Sequence, residues 1–249
     1  MRGQYITSRQ NSRIQQLRRL LRSRKEREEA GLFVADGTKL LEEALHWWPG
    51  LETVVLTEGV EVSLPDGVEV LRISREIMEY VSPMETPQGA LFVCRLPEKA
   101  GLSARPGMLL LDGIQDPGNL GTILRTADAL EIPVVLLEGC ADPYSHKVVR
   151  ASMGAVFRTP VVQSSWMAVK AACEKERIPV AVTALSDRAE DIRRADIKNM
   201  AVVIGSEGRG VRQEILTQAS RELIIPMNQN CESLNAAVAA AIVMWQMKL

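Results

Sequence analysis

The sequence predicts an α/β protein of two units, a small one at the N-terminus followed by a larger one built on a parallel sheet. Three observations carry this. Short apolar runs alternate with helical stretches along most of the 249 residues, the order that gives strand, helix and strand in succession. The runs of the second half are apolar throughout, as strands buried on both faces must be. Between the halves, residues 97–107 (PEKAGLSARPG) are rich in proline, glycine and charge and lack apolar periodicity, the composition of a boundary.

The elements follow in order. Between Asn11 and Glu29, Ile14, Leu17, Leu20 and Leu21 recur at helical spacing with arginines on the other faces, so a basic amphipathic helix opens the chain. GLFVAD (31–36) reads as a strand, 38–47 as a helix, LETVVLT (51–57) as a strand, 74–80 as a helix and GALFVCRL (89–96) as a strand. In the second half, strands are expected at 108–111, 134–137, 180–183, 201–204 and 222–225, and helices at 120–130, 146–153, 165–175, 211–218 and 234–247. In such a sheet the ligand site lies at the carboxyl ends of the strands.

Thirty basic and thirty-one acidic residues leave a net charge of −1, so the whole chain has no field that advertises nucleic acid. The balance is uneven, however. Residues 1–30 hold nine Arg and Lys against three Glu, a local charge of +6, which leaves −7 for the remainder. Arginines on one helix can neutralise phosphates, so this segment is a candidate for RNA capture. The four cysteines (Cys94, Cys140, Cys173, Cys231) are scattered, and His46 and His146 stand one hundred positions apart. Neither a disulfide scaffold nor a Cys/His zinc site is expected, and no metal. The opening MRGQYITSRQNSR lacks the apolar core of a signal peptide, and the longest apolar stretch, 236–245, is too short to span a bilayer. The expectation is a cytoplasmic protein.

Three loops, each after an expected strand, collect the unusual residues. In LLLDGIQDPGNLGTILRTADAL (109–130), the Pro-Gly-Asn turn presents Asn119 at the start of a helix that carries Arg125. In VVIGSEGRGV (202–211), Gly205, Gly208 and Gly210 surround Glu207. Such a loop brings backbone groups close to a ligand, yet it has neither dinucleotide-fingerprint nor P-loop spacing. In IIPMNQNCESLNAAVAAAIVMW (224–245), Ser233 is placed to cap the following helix and Asn235 to sit at its start, and that helix is apolar all round, with Leu234, Val238, Ala241, Ile242 and Trp245 on one face. A helix of that kind needs cover on more than one side, from the core or from a second subunit.

Together, in this order, the three loops resemble the SpoU (also called TrmH) family of RNA 2′-O-ribose methyltransferases in the SPOUT superfamily. The resemblance covers 108–249 and includes YSHKVVRASMGAVFRTPV (144–161), where the family shows a similar Lys-x-x-Arg-x-Ser-x-Gly run. ITSRQNSRIQQLRRL and GLFVADG resemble, more loosely, the family's small RNA-substrate-binding domain. The resemblance implies a substrate-binding domain at 1–97, a linker at 98–107 and a methyltransferase domain at 108–249 whose parallel sheet carries a deep trefoil knot. It further implies S-adenosylmethionine as cofactor, held at Gly205, Ile225 and Leu234, and a homodimer acting on ribosomal or transfer RNA. The catalytic and RNA-facing positions would be Asn119, Arg125, Glu207, Ser233 and Asn235. Departures are Glu131 where the family commonly has Gly, Asp36 before Gly37 where it has Glu, and the charged Glu232 ahead of Ser-Leu-Asn.

Methyl transfer needs donor and acceptor held in line, and a ribose hydroxyl benefits from groups that stabilise developing negative charge. Arg125 suits a phosphate or an alkoxide as a permanent cation, and a neutral arginine acting as base is the bolder alternative. The competing classes are a SPOUT enzyme that methylates a base, an inactive RNA-binding relative, a nucleotide-binding dehydrogenase and a hydrolase using His146. The dehydrogenase lacks its glycine fingerprint and the hydrolase its Gly-x-Ser-x-Gly elbow.

Overall fold

The computed structural model describes residues 4–98, 101–206, 208–228 and 230–249. The chain runs β1 (Gln4–Ile6), α1 (Ser12–Arg22), α2 (Arg24–Ala30), β2 (Leu32–Asp36), α3 (Thr38–Trp47), β3 (Leu51–Thr57), β4 (Glu69–Ile73), α4 (Arg75–Val81) and β5 (Ala90–Arg95). It continues through β6 (Leu109–Asp112), α5 (Pro117–Ala129), β7 (Val134–Leu136), α6 (His146–Ala151), α7 (Ala155–Arg158), β8 (Val162–Gln163), α8 (Trp166–Lys175) and β9 (Val180–Thr183). It ends with β10 (Glu190–Asp191), β11 (Ala201–Gly205), α9 (Gln213–Leu216), β12 (Arg221–Ile224) and α10 (Ala236–Lys248). Among the described residues no helix is long and apolar enough to cross a membrane.

By packing, the chain forms two units. The first is Met1–Glu98 with Tyr144–Arg158, and the second is Lys99–Pro143 with Thr159–Leu249. The first unit has a five-stranded mixed sheet in the order β1-β4-β3-β5-β2. β1, β4 and β3 pair parallel, and β5 runs antiparallel to both β3 and β2. Ile14, Leu17, Leu20 and Leu21 of α1 pack with Val34, Val55, Leu71, Ile73 and Leu91 of the sheet, the stripe that periodicity marked. The single helix expected over 11–29 is divided at Ser23, which is extended (φ −124°, ψ 121°) and whose hydroxyl accepts from the Glu26 amide. A serine that caps the backbone locally competes with a continuous helix. α2 then ends at Gly31, whose φ of 68° is the left-handed conformation that glycine adopts without a Cβ penalty.

Tyr144–Arg158 adjoins the second half in sequence but packs with the first unit, because its aromatic side chains are needed there. Phe33 lies 5.1 Å from Tyr144 and 6.3 Å from Phe157, ring centroid to centroid, and Trp48 meets Phe157 edge-on while Phe92 meets it at a tilt. All three phenylalanines of the chain meet in this cluster.

The second unit holds a seven-stranded sheet, β10-β12-β9-β11-β6-β7-β8, in which every pairing is parallel. β6 is buried along its whole length; each of Leu109, Leu110 and Leu111 contributes roughly 1.5–3 kcal/mol relative to an exposed side chain. α8 lies over one core, formed by Met108, Leu110, Val135, Trp166, Val169, Val180, Val182 and Val203. α10 packs on α5 and β11. All five expected strands are present. β8 and β10, of two residues each, are additional and too short to leave a periodic signal.

Candidate active site

Two helix starts decide the geometry of the site. α5 begins at Pro117, three residues before the expected start, because Asp116 caps it: one of its carboxylate oxygens accepts from the Asn119 amide at 2.8 Å. Proline at the first helical position suits this, since no intrahelical partner awaits its missing N–H. α10 begins at Ala236, two residues later than expected, because Asn235 and not Ser233 is its cap. The Asn235 Oδ1 accepts from the amides of Ala237 at 2.9 Å and Val238 at 3.2 Å. With that oxygen committed, Asn235 Nδ2 donates to Asn119 Oδ1 at 2.9 Å. Residues 116 positions apart are thus joined side chain to side chain where two thirteen-residue helices begin. The positive ends of both helices favour negative charge at this point.

Beside this pair is a cavity of about 670 Å³ at the carboxyl ends of β9, β11 and β12. Its walls include four of the residues proposed from sequence, Gly205, Ile225, Ser233 and Leu234. The loop after β11 is closed by reciprocal backbone bonds, Ser206 N to Gly210 O at 3.2 Å and Gly210 N to Ser206 O at 2.9 Å. Gly205 is required by this closure. A Cβ there would stand 2.0 Å from the Gly210 carbonyl carbon and 2.2 Å from the Val211 nitrogen. The sequence suggested that glycine leaves room for a ligand; the geometry shows that it leaves room for the loop itself.

The eight expected site residues therefore fall into groups. Gly205, Ile225, Ser233 and Leu234 line the cavity, and Asn119 and Asn235 are bonded at its side, since Leu234 and Ala236, the neighbours of Asn235, both line it. Arg125 is exposed on α5 and does not line the cavity. It lies six residues beyond Asn119, about a third of a turn round the helix and about 9 Å along its axis. Glu207 lies outside the described residues.

Sequence reasoning missed two features. Thr183, which ends β9, and Leu185 and Ser186, which follow it, form a further wall of the cavity; the strand-end rule applied to the loops after β6, β11 and β12 extends to this one. The second is an ion-pair network behind the loop after β11. Arg212 pairs with Asp112 and with Glu138. Burial pushes the Glu138 carboxyl up, but its own backbone, the Arg212 guanidinium and the Trp166 amide outweigh that and hold it below the ordinary carboxylate range. Burial works against the Arg212 charge, and the two carboxylates outweigh it to raise that group above its usual value. Among the described residues no group of three or more His, Cys, Asp or Glu side chains is arranged to hold a metal ion.

The dimensions suit S-adenosylmethionine. Cofactor sites measure about 300–1,000 Å³ with apolar walls and a few placed polar groups, and here the walls include a glycine loop, Ile204, Ile225 and Leu234 together with polar side chains such as Ser186, Ser233 and Glu222.

Comparison with known proteins agrees with this geometry. Residues 106–245 match the SpoU rRNA Methylase family and residues 11–91 match the MRM3-like substrate binding domain. The chain is 34% identical over 247 residues to the 23S rRNA (guanosine(2553)-2′-O)-methyltransferase RlmP of Bacillus subtilis, covering 98% of each chain. It is 27% identical to the mitochondrial rRNA methyltransferase 3 of Homo sapiens, covering 95% of this chain and 72% of that one. Among solved structures, the AdoMet-bound rRNA methyltransferase from Sinorhizobium meliloti superposes with a TM-score of 0.85 at 28% identity, covering 99% of this chain and 97% of that one. The SpoU methyltransferase AviRb from Streptomyces viridochromogenes, in complex with AdoMet, gives 0.85 at 25% identity, covering 96% and 97%. The motifs, the parallel sheet with its cavity at the strand ends and the match over more than half its length establish that the chain belongs to the SpoU rRNA methylase family.

Proposed function

We propose that this protein transfers the methyl group of S-adenosylmethionine to a ribose 2′-hydroxyl of ribosomal RNA. The observation that carries the reading is the Asn119–Asn235 hydrogen bond at the start of two helices, adjoining a cavity of cofactor size in a chain of this family. Gly205, Ile225 and Leu234 hold the cofactor, which supplies an electrophilic methyl group when bound. Asn119 and Asn235 position the ribose, and the helix starts favour the charge that develops on its oxygen. Arg125 holds an RNA phosphate and stabilises the alkoxide, a role for which its permanent charge and planar fork are suited. Ser233 and Glu207 complete the RNA-facing set.

The reading includes the division at 1–97, 98–107 and 108–249, the trefoil-knotted path of the C-terminal sheet and a cytoplasmic location. It also includes a homodimer. Val238, Ile242 and Trp245 form one exposed stripe of α10, and Trp245 is 60% exposed; contiguous apolar surface of this kind marks an interface. A second copy is the occupant we infer, because Arg125 lies outside its own chain's cavity and a partner brings it a cofactor to act upon. Trp245→Glu is expected to yield a monomer by light scattering at micromolar concentration. A wild-type monomer there would count against the dimer.

The main reading is tested by mapping 2′-O-methyl groups in ribosomal and transfer RNA from cells with and without the protein. Loss of one ribosomal ribose methyl is expected. Loss confined to transfer RNA would move the substrate, and no change in either would oppose the reading.

A further inference from the structure

Asp112 is the last residue of β6 and sits in register with Gly205 of β11. It is a charged residue only 2% exposed, and a buried carboxylate is costly unless its lone pairs are engaged. Both oxygens are engaged by one residue. The Arg212 backbone N–H donates to Oδ2 at 2.8 Å and the Arg212 Nε to Oδ1 at 2.6 Å. The far end of the same guanidinium donates to Glu138 Oε2 at 2.7 Å. Glu138 in turn accepts the Trp166 amide at 3.3 Å at the start of α8. Arg212 itself does not line the cavity, while its neighbours Val211 and Gln213 do.

From this we infer that Arg212 is a positioning residue for cofactor binding, fixing the loop of residues 205–211 through the buried Asp112 and the loop-borne Glu138. The inference rests on the methyltransferase reading. Residues 205 and 211 are the two ends of that loop. One end is held by β-pairing of Gly205 with Asp112, and the other by the Asp112 carboxylate through the backbone of Arg212. Asp112 thereby sets the width of the loop mouth, and the Arg212 side chain holds the Asp112 carboxylate in place through Nε while its far end is anchored on Glu138. Lysine cannot substitute, because the arrangement needs two donors of a planar fork aimed at different carboxylates. Asp112 also opens the stretch that leads to Asn119, so the clamp ties the cofactor loop to the strand end from which the catalytic asparagine is suspended.

The test is the affinity of purified full-length protein for S-adenosylhomocysteine by calorimetry, with kcat and KM on ribosomal RNA and the thermal midpoint. Arg212→Lys is expected to weaken binding about tenfold, as loss of a charge-assisted bond does, and to raise KM for S-adenosylmethionine in proportion. kcat at saturating cofactor and KM for RNA should hold. Glu138→Gln, which keeps its shape, should weaken binding about two- to threefold. A merely structural role would lower the thermal midpoint of both variants without moving the affinity, and that result would overturn the inference. If Arg212→Lys fails to fold, Glu138→Gln decides by the same criterion. Wild-type protein that binds no S-adenosylhomocysteine would overturn the parent reading and the clamp together. Wild-type binding with an unshifted constant for folded Arg212→Lys would overturn the clamp alone.

Discussion

The two units use their sheets in opposite ways. In the C-terminal unit the cavity opens at the carboxyl ends of parallel strands, its walls combine a glycine loop and apolar side chains with charged ones such as Arg188, Arg209, Glu222 and Glu232, and the Asp112–Arg212–Glu138 network stands behind it. In the N-terminal unit the corresponding cleft, about 260 Å³, lies at the other edge, where β3 and β4 begin. Its polar residues are engaged with one another: Arg13 with Glu69, Thr53 with Glu69 at 3.0 Å, and Arg95 with Glu52. The larger cavity has internal pairs too, Glu222 with Arg188 and with Ser186, so what distinguishes it is its volume and the glycine loop in its wall.

The largest expected effect tests the cavity side of this contrast. Gly205→Ala places a methyl group inside the Gly210–Val211 peptide, so the loop must open, and S-adenosylhomocysteine affinity should fall by about a hundredfold or more. Calorimetry on the folded variant reads this directly; unchanged affinity would show that the loop does not form the cofactor wall.

Next come the residues beside the cavity. Arg125→Ala should keep cofactor affinity and lose about 10²–10³-fold in single-turnover rate, the scale of a removed transition-state contact. Asn235→Asp is the sharper partner to it than alanine. It keeps the oxygens that cap α10, worth about 1 kcal/mol, yet removes the donor to Asn119 and places negative charge where the ribose oxygen develops its own. A wild-type rate in either variant would remove that residue from the machinery.

The N-terminal unit was legible as a basic face, and part of its positive charge is answered. Arg9 pairs with Glu76, Arg13 with Glu69, Arg19 with Glu26, Arg24 with Glu28 and Lys25 with Glu29. Arg27 is buried, donating to the Leu20 carbonyl at 2.5 Å. Deleting residues 1–30 would also uncover the core, because Ile14, Leu17, Leu20 and Leu21 are buried in it. A point change is therefore the fair test. Arg18, stacked 3.9 Å over the Tyr80 ring, is the position to reverse. Arg18→Glu should weaken RNA binding and reduce the salt slope by about one to two ion equivalents, with cofactor affinity unchanged. An unaltered slope would dissociate this face from RNA.

The smallest effect is a pH dependence confined to the first unit. His146 Nδ1 donates to the Leu21 carbonyl at 3.3 Å, and its pKa is lowered from 6.5, first by burial and then, against that bond, by Lys147, Arg27 and Arg150. A histidine with a lowered folded-state pKa contributes its full share above 6.5 and loses it as pH falls below, because the unfolded chain takes the proton first. Asp36 acts oppositely at lower pH: burial raises its carboxyl, against the Ser82 hydrogen bond and Arg150, so its contribution grows as the medium becomes acidic. Melting of wild type and His146→Gln between pH 7 and pH 5 should diverge, with the variant flatter. Parallel curves would contradict this.

How much of this was readable in the sequence follows from the range of the interactions. The parallel strands were legible because a run such as residues 108–111 must be apolar on both faces. The three loops were legible because turn and cap residues act within a few positions. The division at Ser23 and the late start of α10 turn on single side-chain hydrogen bonds, which shift a boundary without altering periodicity. β4 carries Glu69 and Arg72 within five residues, and β1 has only three, so neither produced a run. The Asp112–Arg212 pair spans one hundred residues, and no local pattern encodes it. Nor does any local pattern encode the return of Tyr144–Arg158 to the first unit, which depends on aromatic packing with Phe33.

The most direct measurement of the central claim is the chemical identity of the product. Purified protein, ribosomal RNA and S-adenosylmethionine labelled in its methyl group are incubated, and the RNA is digested to nucleosides. The account predicts label in a single 2′-O-methylnucleoside, absent when Arg125→Ala replaces the wild type. Label in a base-methylated nucleoside would contradict ribose methylation, and the absence of any labelled nucleoside would contradict the activity itself.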